Sequence, residues 1–398
     1  MSRSDPGRER RVLVINQYAF PREYGGITRN IDMFSRLRNW KFRIISTSRN
    51  HYSGEIMRLD DPRWTLVGIP AYHGNGLQRL LGWFVFAGKA TIKGLRTRAD
   101  VYFGSSPHML APVAALVVST LRRKPFVLEV RDLWPESIVT AGSLREGSLV
   151  HRILVGLERH LYRRAAQIVV VTDGWEDHFA ALGIDASKIT VISNGADLDD
   201  YEVYASRDEL RQRYGITGFT AVFAGNHSPY VGLDMIVDAA EKLPDVNFVL
   251  VGNGSRKDWA RDEVAKRGLT NVDFRDPIGK PELPSLMKAC DVGLHTISPQ
   301  SVFDKGMSPN KLYDYMASGI PAVSNARVPL ERVISDDQVG AVTEPHDLAD
   351  GIARVRDADE ATRQRWVDEG RRLMRDRFSL QAAADKLEIV LNKAVSGR

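Results

Sequence analysis

The stretch Ser308-Pro309-Asn310-Lys311-Leu312-Tyr313-Asp314-Tyr315-Met316-Ala317-Ser318-Gly319-Ile320-Pro321 is the most informative in the chain. Pro309 is placed to begin a helix, Gly319 to end it and Pro321 to start the next strand. Lys311 and Asp314 stand three apart on that helix, hence on one face. A lysine beside the exposed amides of Asn310 to Leu312 can neutralise a diphosphate, and a carboxylate one turn deeper can accept bonds from two ribose hydroxyls. The same pair also suits a surface ion pair on a capping helix.

Three glycine-bearing loops can bring backbone amides to an anion. Gly225-Asn226-His227 follows one apolar run and Gly252-Asn253-Gly254 follows the next, both suited to letting a nucleotide lie against the backbone. Gly252-x-Gly254 looks like the start of a dinucleotide fingerprint, but its sixth position is Lys257 instead of glycine, and no such pattern opens the chain. A dehydrogenase is therefore disfavoured. Gly25 and Gly26 lie between the first apolar run and an amphipathic pattern, where a phosphate seat and a plain tight turn are both open readings. Arg131 and Asp132, inside Glu129-Val130-Arg131-Asp132-Leu133-Trp134-Pro135-Glu136-Ser137, add a cation and a carboxylate just after another strand-like run. They can serve an acceptor or simply pair with each other.

The elements that must position these groups follow from periodicity. Strand-like runs alternate with longer helical patterns, the signature of βαβ units and parallel sheets. Val12–Asn16, Phe42–Thr47, Val101–Gly104, Phe126–Val130, Ile168–Val171 and Ile189–Ile192 read as the strands of a first doubly wound half. The pattern restarts after the turn-rich segment beginning at Asn194, with Thr220–Ala224, Val246–Val251, Val272–Phe274, Val292–His295 and Pro321–Ser324. The fold class is thus α/β, two doubly wound Rossmann-like domains facing across a cleft. Residues 1–198 form the first domain, 199–378 the second, and 379–398 a final helix able to cross back to the first. Ligands of such sheets bind at the carboxyl ends of the strands.

The bulk properties narrow the setting. The 398 residues, with 43% hydrophobic and 26% charged content, suffice for two cores. The apolar run Leu110–Leu121 is too short to span a bilayer and the opening residues lack a signal-peptide core, so a cytoplasmic protein is expected. A single cysteine, Cys290, excludes an internal disulfide and a multi-cysteine zinc site, and reads as buried packing. A formal charge of +5 favours anionic partners. Nucleic acid is not among those expected, since no recognised binding motif accompanies the charge.

Taken together, the Glu129–Ser137 segment, the hinge Ile192-Ser193-Asn194-Gly195-Ala196-Asp197, Gly225-Asn226-His227, Gly252-Asn253-Gly254 and Pro309–Gly319 resemble the GT-B fold, retaining glycosyltransferases of family four. The likeness is strongest to the branch of L-fucosamine transferases in O-antigen assembly. It implies a nucleotide-sugar donor, expected as a UDP-sugar, on the second domain. It also implies a glycan or polyprenyl-diphosphate-linked acceptor on the first, and transfer of an N-acetylamino or deoxy-amino hexose with retention. Neither metal nor cofactor is implied.

The chain departs from the family pattern at three places. The Glu-x7-Glu pair becomes Gly306 and Asp314, the diphosphate-gripping Arg and Lys fall at Asn226 and Val231, and a His before an Asp becomes Arg131. Lys311 and Arg131 bring replacement cations. The resemblance then assigns catalysis to Lys311, Asp314, Arg131 and Asp132. Donor binding goes to Gly25, Gly26, Gly225, Asn226, His227, Gly252, Asn253, Gly254, Asn310 and Leu312. Two rivals are a nucleotide-sugar 2-epimerase, which needs more acid and base groups around the sugar, and an inactive nucleotide-sugar-binding subunit. Leu77–Arg96 mixes large apolar residues with cations, which fits both contact with an anionic membrane and an ordinary helix covering the sheet. His108 is expected in a surface loop.

Overall fold

Short apolar runs flanked by amphipathic helices build two parallel sheets, as the alternation predicts. The computed structural model describes residues 9–24, 28–51, 54–71, 76–140, 142–298, 306–326 and 338–397. The chain divides into one unit of Met1–Ser193 with Leu380–Arg398 and another of Asn194–Ser379. The division thus falls at Ser193 and Asn194, ahead of the expected boundary after Leu198, because Asn194 and Ala196 bond within the second unit. The Asn194 N–H donates to Ser308 Oγ at 2.7 Å and the Ala196 N–H to the Phe378 carbonyl at 3.1 Å.

Among the described residues, the first sheet holds seven strands. They are β1 (Arg10–Ile15), β2 (Trp40–Thr47), β3 (Trp64–Val67), β4 (Val101–Ser105), β5 (Phe126–Val130), β6 (Gln167–Val170) and β7 (Ile189–Val191). They lie in the order β3-β2-β1-β4-β5-β6-β7, all parallel. The second sheet holds β8 (Phe219–Ala224), β9 (Val246–Val251), β10 (Val272–Arg275), β11 (Val292–His295), β12 (Ala322–Ser324) and β13 (Gly340–Val342). Its order is β10-β9-β8-β11-β12-β13, again all parallel. Each sheet starts in its middle, runs to one edge and returns to fill the other, which creates a switch point between β1 and β4 and another between β8 and β11. The edge strands β3 and β13 are absent from the sequence reading: Thr65 interrupts the apolar run of β3, and β13 is three residues opening on a glycine.

One face of the first sheet is covered by helices Leu77–Arg96, Leu110–Arg122 and Leu149–Arg164. The apolar run at Leu110 is explained by this layer, with Ala111, Ala114, Ala115 and Val118 buried against the strands. Pro112 sits in the first turn, where it costs no helical hydrogen bond. The opposite face is closed by helix Leu380–Ser396, which buries Leu387, Val390 and Leu391 with Val12, Val14 and Phe103. Asn392 Oδ1 accepts from Arg10 Nη1 at 2.6 Å and from Trp40 Nε1 at 3.3 Å, fixing that helix in place. No helix among the described residues is long and apolar enough to cross a membrane.

Candidate functional site

At the carboxyl edge of the second sheet, helix Asn310–Ser318 begins after Pro309 and ends at Gly319, whose φ of 73° is the left-handed cap that glycine supplies without strain. Tyr315 fastens this helix to the sheet: its hydroxyl donates to the Leu294 carbonyl at 2.9 Å, and its ring fills the space over Gly293. Ser308 Oγ lies 3.0 Å from the Tyr313 hydroxyl, so the turn before the helix is pinned as well. The helix N-terminus is therefore presented in a fixed orientation.

Lys311 does not pair with Asp314. Its ammonium lies 5.1 Å from the centroid of the Phe223 ring, and its stem lies over Gly225, where a Cβ would stand 2.8 Å from Nζ. Among the described residues Lys311 has neither an ion-pair nor a hydrogen-bond partner. Burial holds its pKa below the usual lysine range, partly offset by Asp314. Asp314 instead accepts a hydrogen bond from the Tyr201 hydroxyl, and burial raises its pKa while that bond, Lys280 and Lys311 pull it down. The surface ion pair that the spacing left open is not formed: Asp314 is held by Tyr201, and Lys311 lies over Gly225 and the Phe223 ring. Tyr201 is a site residue that the sequence reading missed, because it stands far from Asp314 in the chain.

His227 is fully buried, and neither of its ring nitrogens has a hydrogen-bond partner among the described residues. Burial, followed by Lys257, Lys311 and Arg261, lowers its pKa to about 4, so the ring is neutral at neutral pH. An orphaned buried imidazole is costly unless a ligand completes it.

The loops after β8 and β9 hold this ring by packing backbone against backbone. Gly225, Gly252 and Gly254 have φ of 149°, 143° and 156°, a region that other residues rarely adopt. A Cβ on Gly252 would collide with the Gly225 carbonyl, and one on Gly254 would strike the Asn226 side chain and the His227 carbonyl. The His227 N–H donates to the Asn253 carbonyl at 2.9 Å. Lys257, at the position that breaks the dinucleotide fingerprint, is buried and locks the second loop. Its Nζ donates to the Gly252 carbonyl at 2.8 Å and the Arg275 carbonyl at 3.0 Å, and meets Asp276 at 3.1 Å.

The other expected donor residues divide. Asn226, Asn253 and Asn310 are exposed at this edge. The N–H groups of Asn310 and Lys311 have no partner among the described residues, whereas that of Leu312 donates to the Pro309 carbonyl at 3.2 Å and its side chain is fully buried. Leu312 is therefore a packing residue, which corrects its place among the diphosphate-binding amides. His295 is buried at the end of β11 with Nδ1 2.8 Å from Ser324 Oγ, and burial together with Lys311 lowers its pKa to about 3. Cys290 is buried with its thiol pushed up to about 12, chiefly by burial, and is chemically quiet.

At the carboxyl edge of the first sheet, Glu129 is fully buried and pairs with Arg29 at 2.9 Å. It also accepts from Ser105 Oγ at 2.5 Å and from Asn30 Nδ2 at 3.2 Å. Arg29 goes on to donate to the carbonyls of Ser193 at 2.9 Å and Ile192 at 2.6 Å. Arg131 is half-buried next to this network, its N–H donating to Ser106 Oγ at 2.8 Å, and Asp132 is exposed. Gly25 and Gly26 lie outside the described residues. His108 is buried, not in a surface loop as expected. It stacks on Trp83 with centroids 4.9 Å apart and lies 3.0 Å from Gln17 Oε1, and burial lowers its pKa to about 3.

Two doubly wound sheets, each with its polar groups gathered at the carboxyl edge, define the GT-B class of glycosyltransferase. Residues 27–195 match the glycosyl transferase 4-like domain and residues 206–373 match the glycosyl transferases group 1 family, and the chain belongs to these glycosyltransferases. It is similar to the probable glycosyltransferase WbjE of Pseudomonas aeruginosa, 27% identical over 292 residues that make up 71% of each chain. It is also similar to the alpha-D-kanosaminyltransferase of Streptomyces kanamyceticus, 26% identical over 242 residues, or 58% of this chain and 61% of that relative. Among solved structures, Anabaena HepE in complex with UDP-glucose matches at a TM-score of 0.70 and 19% identity, covering 98% of this chain and 100% of that one. WaaG, a glycosyltransferase involved in lipopolysaccharide biosynthesis, matches at 0.67 and 17% identity, covering 96% and 99%. At such identities the likeness is one of fold.

Proposed function

We propose that the protein is a retaining glycosyltransferase that takes a sugar, an N-acetylamino or deoxy-amino hexose, from a UDP-sugar held by the second unit. The acceptor is a glycan or a polyprenyl-diphosphate-linked saccharide held by the first, in the synthesis of cell-surface polysaccharide. The observation that carries this is the unpaired Lys311 ammonium over Gly225, beside the free amides of Asn310 and Lys311 and the orphaned His227 ring. A cation, two N–H donors and a neutral imidazole at one strand edge suit a diphosphate, whose negative charge grows as the sugar departs. In this reading Lys311 and the amides meet that charge without a metal, and His227 donates from one ring nitrogen. Asp314, kept in place by Tyr201, accepts from the ribose, and the departing phosphate takes the acceptor proton. Arg131 and Asp132 orient the acceptor. A lipid-linked acceptor also brings Leu77–Arg96 against an anionic membrane.

A thermal-shift screen against UDP-, GDP- and ADP-sugars in the presence of EDTA tests the donor site. Stabilisation by the UDP class alone, abolished in Lys311→Ala, is the expected result. Stabilisation by none of them, or one that needs added divalent metal, overturns the donor assignment. Consumption of donor with no acceptor added would mean an epimerase, and tight binding with no transfer to any acceptor an inactive subunit.

A further inference from the structure

The amino edge of the first sheet, at the far end of the strands from the groups described above, gathers positive charge of its own. Arg11, near the start of β1, is the register partner of Lys41 on β2, and Arg43, two residues further on, projects from the same face of the sheet. Like charges set side by side on neighbouring strands repel, so this trio weakens the sheet unless an anion answers it. Glu9 answers Lys41 at 2.7 Å. The side chains of Arg11 and Arg43 are exposed, with no ion-pair or hydrogen-bond partner among the described residues.

Two more arginines reach the same edge from helix Leu77–Arg96 and the turn after it. That helix packs inward through Gly82, Phe86, Ala90 and Gly94 and leaves Leu81 and Phe84 outside. At Gly94 the fit is close enough that a Cβ would lie 2.9 Å from Val118 on the neighbouring helix. The end of the helix is thereby fixed against its layer. Arg96 and Arg98 stand exposed there, again without an ion-pair or hydrogen-bond partner among the described residues.

Arg11, Lys41, Arg43, Arg63, Arg96 and Arg98 line one cavity of about 590 Å³, and among the described residues no acidic side chain lines it. Arg63 is held by Asp61 at 2.7 Å and Lys41 by Glu9, which leaves four arginines unpaired. The rest of the wall is largely apolar: Phe34 and Trp40 are buried in it, and Leu37 and Phe42 are half-buried. An adjoining cavity of about 400 Å³ shares Arg11 and Arg98 but is lined by Glu9 and Asp100 as well, and Asp100 lies 3.7 Å from Lys124. The smaller cavity thus carries its own counter-charges, and the larger one does not.

We propose that the larger cavity binds a soluble organic phosphate carrying two or more negative charges, its oxygens taken by Arg11, Arg43, Arg96 and Arg98 and its less polar body lying on Leu37 and Phe42. Arginine forks match phosphate oxygens bidentately, and four of them call for more charge than one carboxylate brings. The volume is that of a small-ligand pocket. An inorganic ion would leave the apolar wall uncovered, and a flat bilayer does not enter a recess at the end of a sheet. Nucleoside phosphates and sugar phosphates share the required chemistry, and the experiment separates them. The cavity is at the opposite end of the first sheet from Glu129 and Arg131, so the inference does not rest on the proposed donor, acceptor or reaction.

The test is isothermal titration calorimetry of the full chain at low salt, with UDP, glucose 1-phosphate and inorganic phosphate as the probes. It compares wild type with Lys311→Met and with Arg43→Glu/Arg98→Glu, which alters two exposed residues. Binding of UDP or of glucose 1-phosphate should survive Lys311→Met, weaken as salt is raised, and fall by about tenfold or more in the arginine variant. Inorganic phosphate should bind about tenfold more weakly than the better organic probe. Preference for UDP assigns the cavity to nucleoside phosphates, and preference for glucose 1-phosphate assigns it to sugar phosphates. Circular dichroism is read on every variant, and Arg43→Gln and Arg98→Gln replace the double variant if it does not fold. Three results overturn the proposal: neither organic phosphate binds, all binding persists in the arginine variants, or inorganic phosphate binds as tightly as the organic probes. UDP binding lost in the arginine variants and untouched by Lys311→Met would count against the proposed donor site and leave this one standing.

Discussion

In the first unit Glu129 is as deeply buried as any charge in the protein, yet it has an arginine, a serine and an asparagine bonded to it, and Arg29 is in turn tied to two carbonyls. In the second unit Lys311 and His227 occupy the corresponding strand edge with no hydrogen-bond or ion-pair partner among the described residues. The protonation tendencies diverge to match. Burial alone would raise Glu129, but Arg29, Arg131 and the Ser105 hydroxyl outweigh it and hold the carboxyl below its ordinary value. Lys311, His227 and Asp314 are all pushed toward their neutral forms, with burial as the first cause. A satisfied network holds a fold together, and an unsatisfied one is kept for a ligand.

The comparison breaks most directly at Arg29. Arg29→Met strands a buried carboxylate and should cost about 3–5 kcal/mol of unfolding free energy, measured in urea at neutral pH. Because the folded pKa of Glu129 lies below its unfolded one, its stabilisation is present above the ordinary carboxylate value near 4.5 and is lost as pH falls through the folded one. The gap between wild type and variant should therefore narrow in acid. A loss under 1 kcal/mol, on the order of an exposed pair, would mean that the network is not structural.

Lys311→Met should have the opposite character. Transfer falls by about 10²- to 10³-fold, as when one donor to a developing negative charge is removed. Stability does not fall with it: a lysine whose folded pKa is lowered destabilises the fold while charged, and that cost is relieved only as pH rises through the folded value. Initial rates and urea midpoints on one preparation decide this, and a variant both inactive and less stable would place Lys311 among the structural residues. Gly252→Ala, which forces a Cβ toward the Gly225 carbonyl at a φ of 143°, should cost about 1–3 kcal/mol and weaken nucleotide stabilisation in the thermal-shift assay. The smallest signal is a flat one: His227 should show no NMR titration between about pH 5 and 8, where an ordinary histidine changes charge.

Much of the fold was legible because a buried parallel strand is a run of apolar residues, and such runs mark the interior strands of both sheets. The sequence reading missed Trp64–Val67, where Thr65 interrupts the apolar run, and Gly340–Val342, three residues that open on a glycine. At the site, the glycines were visible as loops but not as contacts, since nothing local shows that Gly252 lies against Gly225. Lys257 was noticed as a missing glycine and not as the clamp that it is. Pairings across long stretches of chain, such as Arg29 with Glu129 and Tyr201 with Asp314, carry no periodic signal at all. Helix Leu77–Arg96 shows a different limit: its pattern reveals two faces, and the choice between small residues inside and large ones outside is made by the neighbour packed on it.

Helix Leu380–Ser396 has a consequence for how the chain is made. It is translated after the whole of the second unit, yet it covers the Val12, Val14, Phe103 and Val127 side of the first sheet. The contiguous span Asn194–Ser379 has all its parts together before the first unit does. Until the last helix leaves the ribosome, the earlier-made sheet waits with one greasy flank open, a standing invitation to holdase chaperones and to aggregation. A premature stop at Ser379 would turn that transient state into a permanent one, disabling the unit that lies farthest from the stop in the sequence.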